Sequence, residues 1–331
     1  MTAFAVIQVK PGIGDTLWHL PFVRAIAAAA PGGKVTFLSP PSSLAHELLV
    51  AEPTVADVLY FPHGGNEIAR GINLLRLARL LRRRRFERIY ILDRTTRPAV
   101  AARLAGISER IGIGLGAQRA WITNAGIDRA YFHAHPIGWL QQLMASEHLD
   151  VASTEPELRV PAYALANIDV RFGHLPRPWL VLGLGASHPD KDWPDAHWRA
   201  LMQELAQHSM GSVVVVGGAS WQARADRLIA DSGTNTINAC ELPIMDAAAL
   251  IQRSDLFAGV DSGALNLAAA VGTEAYGLFG LTPALQYSQH IHVVRASNDS
   301  ARWTPMREIT PDRLMKVLMP RLAELASQPA R

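Results

Sequence analysis

AVIQVKPGIGDTLWHLPFVRAIAAAAPGG, residues 5–33, opens with a short apolar run (5–9) and turns through Lys10-Pro11-Gly12-Ile13-Gly14-Asp15. A helical pattern follows over 16–30 and stops at Pro31-Gly32-Gly33. A buried strand, a glycine-containing turn and a helix in that order form half of a parallel crossover unit. The same grammar repeats outward. VTFLS (35–39), VADVLYF (55–61), RIYILD (88–93) and RIGIG (110–114) read as strands, with helices expected over 42–49, 68–85 and 98–104. In the second of these helices Ile72, Leu75, Ala78 and Leu81 recur at helical spacing among arginines. Strands separated by helices of this length imply parallel pairing in an α/β sheet.

A second series of the same kind begins at WLVLGLG (179–185) and continues through SVVVVGG (212–218), TINA (236–239), LFAGV (256–260) and AYGLFG (275–280). Helices are expected between them over 198–207, 222–232, 244–251 and 264–271, and a final one over 310–325 with Thr310 as N-cap and Pro311 at its first position. Between residues 154 and 178 periodicity fades and Pro156, Pro161, Pro176 and Pro178 interrupt the chain, which places a linker there. Two domains are therefore expected, 1–165 and 166–331, with the terminal helix a candidate to pack back on the first.

Composition narrows the function classes. Of 331 residues, 49% are hydrophobic and 18% charged, and the mean hydropathy is near zero, the profile of a globular chain rather than a disordered or fibrous one. The single cysteine, Cys240, excludes an intramolecular disulfide framework and a cysteine-based zinc site. The opening MTAFAVIQVK lacks a basic segment followed by an apolar one, and the weakly polar stretch 266–285 is broken by Glu274, Pro283 and glycines. A cytoplasmic location is expected, with peripheral contact to the membrane face. The net charge of +3 is uneven: residues 1–170 carry 18 Lys and Arg against 14 Asp and Glu, the remainder 14 against 15. Eight arginines fall between Arg70 and Arg88, a run suited to an anionic partner or to a solvated helix face. That run lacks interleaved aromatics and any nucleic-acid module, so nucleic acid is not an expected partner. No pair of the 12 histidines has ligand-like helical spacing with a carboxylate between, and no serine lies in a G-x-S-x-G context.

Three turns carry the candidate chemistry. The first, 10–15, sits at the carboxyl edge of a parallel sheet, where open α/β folds bind ligands, but lacks the third glycine of a dinucleotide fingerprint and the ending of a P-loop. The second is Gly183-Leu184-Gly185-Ala186-Ser187, followed by Lys191 and Trp193-Pro194. A hydroxyl in a small-residue loop with a lysine close by can contact phosphate oxygens. The third, Gly259-Val260-Asp261-Ser262-Gly263-Ala264-Leu265-Asn266, ends a strand at the N-terminus of an alanine-rich helix, where free N–H groups attract a diphosphate. Asp261 is unexpected beside a phosphate and is read as a cap or as a partner for a sugar hydroxyl.

Taken in order, K-x-G-x-GD, GAS-x-x-x-K-x-WP and V-DSG-x-x-x-LAAA-x-GT-x-x-x-x-LFG, with the strand LLRRRRFERIYILD, resemble the ADP-heptose:lipopolysaccharide heptosyltransferases, family 9 of the glycosyltransferases. The resemblance runs from Val6 to about Gly280 and implies GT-B architecture: two facing Rossmann-like domains with parallel sheets and the active site in the cleft. It implies an inverting, metal-independent transfer of a sugar, heptose from ADP-heptose, to a lipopolysaccharide-core or related anionic glycolipid, with no cofactor. It casts Asp15 as the general base, with Gly12 and Gly14 in its turn, and Lys191 and Ser187 on the donor phosphates. Asp261, Ser262 and Gly263 would receive the phosphates and sugar, Asn266 follows them, and Met245 falls where the family lines the adenine pocket. The chain departs from the family on the donor side, with Asn266 in place of histidine, Thr282-Pro283 without the usual aspartate, and Trp221-Gln222 in place of Gly-x-Glu. A non-catalytic sugar-nucleotide-binding protein or a sugar-nucleotide epimerase of the same architecture remain alternatives. An epimerase needs further cleft carboxylates or histidines for proton transfer at carbon.

Overall fold

The computed structural model describes residues 4–208, 211–283, 288–297 and 304–327. Residues 284–285 of the weakly polar stretch lie outside them. The chain divides into two compact units, Met1–Pro156 and Glu157–Arg331. In the first, β1 (Phe4–Ile7), β2 (Val35–Ser39), β3 (Val55–Tyr60), β4 (Arg88–Ile91) and β5 (Glu109–Gly112) alternate with α1 (Ile13–Ala29), α2 (Ala45–Leu48), α3 (Glu67–Arg84) and α4 (Thr96–Ala105), and α5 (Pro136–Ser146) follows. All pairings are parallel, in the order β3-β2-β1-β4-β5.

The second unit opens with α6 (Ala162–Phe172). Strands β6 (Trp179–Gly183), β7 (Ser212–Val216), β8 (Ile237–Asn238), β9 (Leu256–Val260), β10 (Ala275–Leu278) and β11 (Ile291–Val294) form its sheet. Helices α7 (Asp195–His208), α8 (Gln222–Ser232), α9 (Ile244–Arg253), α10 (Gly263–Ala270) and α11 (Pro311–Ala326) complete it. Again all pairings are parallel, in the order β11-β10-β9-β6-β7-β8. Both sheets therefore reverse direction of winding next to their first strand, between β1 and β4 and between β6 and β9. That is the strand order of Rossmann folds, in which the crevice at the carboxyl ends of those two strands holds the ligand. Among the described residues no helix is long and apolar enough to cross a membrane.

The alternating pattern was legible because the central strands are buried on both faces; β1, β2, β6 and β9 have no exposed position. Three elements differ from the sequence reading. The division falls at residue 156 rather than 165, because the segment read as a linker contains α6, whose Ala164, Ile168 and Phe172 are buried and which packs on α9. Strand β11, not foreseen, extends the second sheet beside β10. In α3 the buried residues are Leu77, Ala78 and Leu81, whereas Ile72 and Leu75 are exposed. A spacing of three drifts by roughly 60° per step around a helix of 3.6 residues per turn, so the line 72-75-78-81 leaves the buried face at its start.

Terminal helix α11 is capped as expected: the Thr310 hydroxyl accepts from the Arg313 N–H at 3.3 Å, with Pro311 next. Its Leu314, Met315, Leu318 and Leu322 join the second unit's core, and it lies against α7. Trp193 ties the segment ahead of α11 to the loop after β6. It is fully buried, meets Trp198 edge-on at 4.9 Å and donates its indole N–H to the Ile309 carbonyl at 2.7 Å. Replacing Trp193 by alanine should cost about 3–5 kcal/mol, read as a lowered urea midpoint at unchanged slope. A loss below about 1 kcal/mol would contradict this packing account.

Candidate functional site

In the first domain the strand end of β1 is organised by a buried amide. Gln8 has no exposed surface; its Nε2 donates to the Lys10 carbonyl at 2.9 Å and to the Thr16 hydroxyl at 3.0 Å, and its Oε1 lies 2.6 Å from Nδ1 of His19. With both amide hydrogens committed, the Gln8 carbonyl accepts and His19 Nδ1 donates. Burial, and after it the Lys10 charge, pushes His19 down to about 3, so its ring is neutral. The next residue, Val9, donates its N–H at 3.1 Å to Oδ2 of Asp93, which follows β4. The carboxylate's other oxygen accepts from the Thr95 N–H at 2.7 Å and from the Thr95 hydroxyl. Asp93 thus joins the loops leaving β1 and β4 across the switch point, and burial raises its pKa despite these donors.

Helix α1 starts at Ile13, so Gly14 and Asp15 stand in its first turn and Gly12 is its N-cap in extended conformation. Asp15 is 31% exposed and lies 3.3 Å from the Lys10 ammonium. A carboxylate in a first helical turn is favoured by the free N–H groups there. A Cβ on Gly12 would come within 2.7 Å of Asp15 Oδ2, so the glycine leaves the carboxylate room. At the same carboxyl edge a cavity of about 460 Å³ opens between the segments after β3 and β4 and the N-terminal half of α3. Arg70, Arg94, Arg97 and His63 give it cationic and Asn73 and Thr95 polar lining. Arg94 also lies over the rings of Phe132 and Trp139 at 5.5 and 5.2 Å.

The second domain brings two of the sequence motifs into contact. Lys191 closes a single short turn, Pro189–Lys191, and its Nζ lies 2.7 Å from Oδ2 of Asp261. The pair joins the loop after β6 to the turn after β9 across that sheet's switch point. Close approach there requires glycine: Gly183 and Gly259 face one another in register, and a Cβ on Gly259 would lie 2.8 Å from the Gly183 carbonyl oxygen. Gly185 has φ +84°, and a Cβ on it would strike the Trp221 indole at 2.2 Å. Trp221, at the start of α8, thus walls the small-residue loop.

Arg224 holds the same loop from behind. It donates to Asp192 at 2.6 Å, to Asp195 at 2.8 Å and to the Trp193 carbonyl at 3.2 Å, and lies 5.1 Å from the Trp221 ring centre. Asp192, the residue after Lys191, is thereby committed to Arg224. Among the described residues no group of three His, Cys, Asp or Glu side chains is placed to hold a metal ion.

Ser262 is the N-cap of α10 without a capping bond, and its buried hydroxyl has no hydrogen-bond partner. An unfilled N-cap hydroxyl beside free N–H groups suits an anionic ligand. Gly263 begins the helix, and Asn266 turns back to donate to the Ser262 carbonyl at 2.8 Å, fixing that turn. Ser187 lies exposed in a bend of the lysine loop. Met245 is buried in the first turn of α9, which follows β8 and so also starts at the sheet's carboxyl edge, on an element apart from the Lys191–Asp261 pair. The sequence reading missed Gln8, His19, Asp93 and Arg224. Gln8 left a signal, one amide inside an apolar strand; Arg224 left none, since its partners are about 30 residues away.

Two parallel-sheet Rossmann-like domains, each with a switch point beside its first strand, define the class as the GT-B architecture that the resemblance implied. The profile described as Glycosyltransferase family 9 (heptosyltransferase) matches residues 74–304, and the chain belongs to that family. It is 23% identical over 352 residues to lipopolysaccharide heptosyltransferase 2 of Escherichia coli K12, covering 95% of this chain and 97% of that protein. Lipopolysaccharide heptosyltransferase 1 of Pseudomonas aeruginosa is 29% identical over 190 residues, a match that spans 49% of this chain and 51% of the relative. The structure of the E. coli ADP-heptose lps heptosyltransferase II superposes with a TM-score of 0.74 at 22% identity, covering 97% of this chain and 98% of that one.

The His19 environment sets an acid limit on the first domain. Its folded pKa of about 3 lies below the ordinary 6.5, so below pH 6.5 the unfolded chain binds more protons. Its contribution is complete above pH 6.5 and is lost, at up to about 1.4 kcal/mol per pH unit, as pH falls toward about 3. His19→Gln should flatten that part of a stability-against-pH curve; an unchanged slope would contradict the assignment.

Proposed function

We propose that the protein is an inverting glycosyltransferase that moves heptose from ADP-heptose to an anionic glycolipid of the lipopolysaccharide-core type. The donor diphosphate binds at the carboxyl edge of the second sheet, held by Lys191, the Ser262 hydroxyl and the first N–H groups of α10. The observation that carries this reading is the 2.7 Å Lys191–Asp261 pair beside an uncapped helix start with an unpartnered Ser262 hydroxyl. Asp261 offsets the lysine charge until the diphosphate arrives, and its carboxylate then accepts from a sugar hydroxyl. Gly12, Gly14 and Ser187 shape the loops around the substrates, Asn266 holds the Ser262 turn, and Met245 lines the adenine pocket.

Transfer proceeds by attack of an acceptor hydroxyl oxygen on the anomeric carbon. The new C–O bond forms as the bond from that carbon to the diphosphate oxygen breaks, ADP leaves with the electron pair, and Asp15 takes the hydroxyl proton. The transition state resembles an oxocarbenium ion, and the charge growing on the leaving diphosphate is met by the Lys191 ammonium and the α10 N-terminus. Those groups supply the electrostatic role that a divalent metal fills elsewhere, which supports a metal-independent reaction. The cationic cavity of the first domain receives the acceptor's acidic groups, and a lipid-held acceptor implies peripheral contact with the membrane face.

Asp15→Asn should lower kcat by about 100-fold or more while leaving donor KM nearly unchanged. Lys191→Ala should raise donor KM and also lower kcat, because the ammonium meets both the bound diphosphate and the charge that grows on it. Both variants are checked with ADP-heptose and a lipopolysaccharide-core acceptor under initial-rate conditions. Full turnover by Asp15→Asn would remove the base assignment. Stabilisation by ADP without transfer to any acceptor would favour a non-catalytic nucleotide-sugar-binding protein.

A further inference from the structure

Helix α3 has two dissimilar sides. Leu77, Ala78 and Leu81 join the first domain's core, and Leu74 packs against it. On the outward side Ile68, Ile72 and Leu75 are 75%, 46% and 64% exposed, an i, i+4, i+7 stripe that no intramolecular contact of the core requires. Arg76, Arg79, Arg82 and Arg83 continue the same side toward the C-terminus and are all exposed. At 3.6 residues per turn these seven side chains occupy an arc of about 120°. Among the described residues, the side chains of Arg76, Arg79, Arg82 and Arg83 make no ion pair or hydrogen bond; Arg84, outside the arc, pairs with Asp57 at 3.0 Å.

Large aliphatic side chains in one stripe with unpaired arginines on the same face are the pattern of a helix that lies in a bilayer interface. A polyanion such as nucleic acid would explain the arginines and leave the isoleucines and the leucine in water. A second copy of the chain would bring like charges together. We propose that the outward face of α3, defined by Ile68, Ile72, Leu75, Arg79 and Arg82, docks the protein on a bilayer rich in anionic headgroups. The apolar stripe enters the headgroup boundary and the arginines contact lipid phosphates. The opposite side of the helix's N-terminal half, Arg70 and Asn73, lines the cationic cavity, so docking holds that cavity one helix diameter, roughly 10 Å, from the headgroups, within reach of the sugars of a lipid-held acceptor. This deepens the peripheral-contact reading and rests on it.

Co-sedimentation of the full chain with phosphatidylglycerol-containing and with pure phosphatidylcholine vesicles, without donor or acceptor, tests the assignment. Wild type should bind the anionic vesicles, weaken with added salt and leave the neutral ones. R79A/R82A should weaken partitioning about 30-fold at low salt, taking about 1 kcal/mol per arginine. I68S/L75S, which keeps every charge, should weaken it about tenfold. Both doubles should retain wild-type turnover on a delipidated acceptor, which shows that they fold. Absence of wild-type binding to either vesicle would overturn the peripheral-contact reading together with this face. Wild-type binding kept in both doubles would overturn the face alone. A duplex oligonucleotide bound as tightly as the vesicles with I68S/L75S without effect, or a dimer in sedimentation velocity that I68S/L75S dissociates, would overturn it in favour of nucleic acid or a second copy.

Discussion

The ion pair between Lys191 and Asp261 is the contact on which the donor site proposed for the second domain depends. It joins two loops distant in sequence because β6 and β9 are adjacent strands whose loops leave the sheet on opposite windings. A parallel sheet that reverses its winding must open a crevice at that point. The two glycines facing each other in register allow the strands' last residues to meet there without side chains. The first domain answers with a hydrogen-bonded analogue in which a backbone N–H after β1 meets the buried carboxylate after β4. One topological rule thus places a polar link at each switch point, and the residue types decide what each can bind.

Around those links the supporting contacts differ in kind. The Lys191 loop is held by charge, with Arg224 bridging two aspartates and a carbonyl under the Trp221 ring. The Asp15 turn is held by neutral hydrogen bonds centred on one buried glutamine and a neutral histidine. The difference suits the roles proposed. A diphosphate site tolerates fixed ions nearby, because they set a local potential. The Asp15 carboxylate itself faces one cation, the Lys10 ammonium at 3.3 Å, so only the scaffold of its turn is neutral. Trp221, one of the donor-side departures read in the sequence, closes over Gly185 and so has a packing function in this chain.

The fold was legible because strands buried on both faces leave unbroken apolar runs, and glycine turns mark their ends. The candidate site proposed above rests on local motifs: Lys191, Asp261, Ser262 and Asp15 all lie within short strings that need no long-range partner to be noticed. What escaped was made of distant pairs. Asp93 looks like any strand-end aspartate until Val9 is seen beside it, and α6 looked like a linker because its prolines lie just outside the helix they bound. In α3, apolar residues at a spacing of three suggested one buried line. The true core face uses Leu74, Leu77, Ala78 and Leu81, which leaves Ile72 and Leu75 in solvent.

Amide hydrogen exchange of the full chain with and without ADP addresses the donor site most directly. The account predicts slowed exchange in the loop around Ser187 and Lys191, in the first turn of α10 at Gly263 and in the first turn of α9 at Met245, with the protection reduced in Lys191→Ala. Protection centred instead on the turn that carries Asp15, or no protection at saturating ADP, would contradict it.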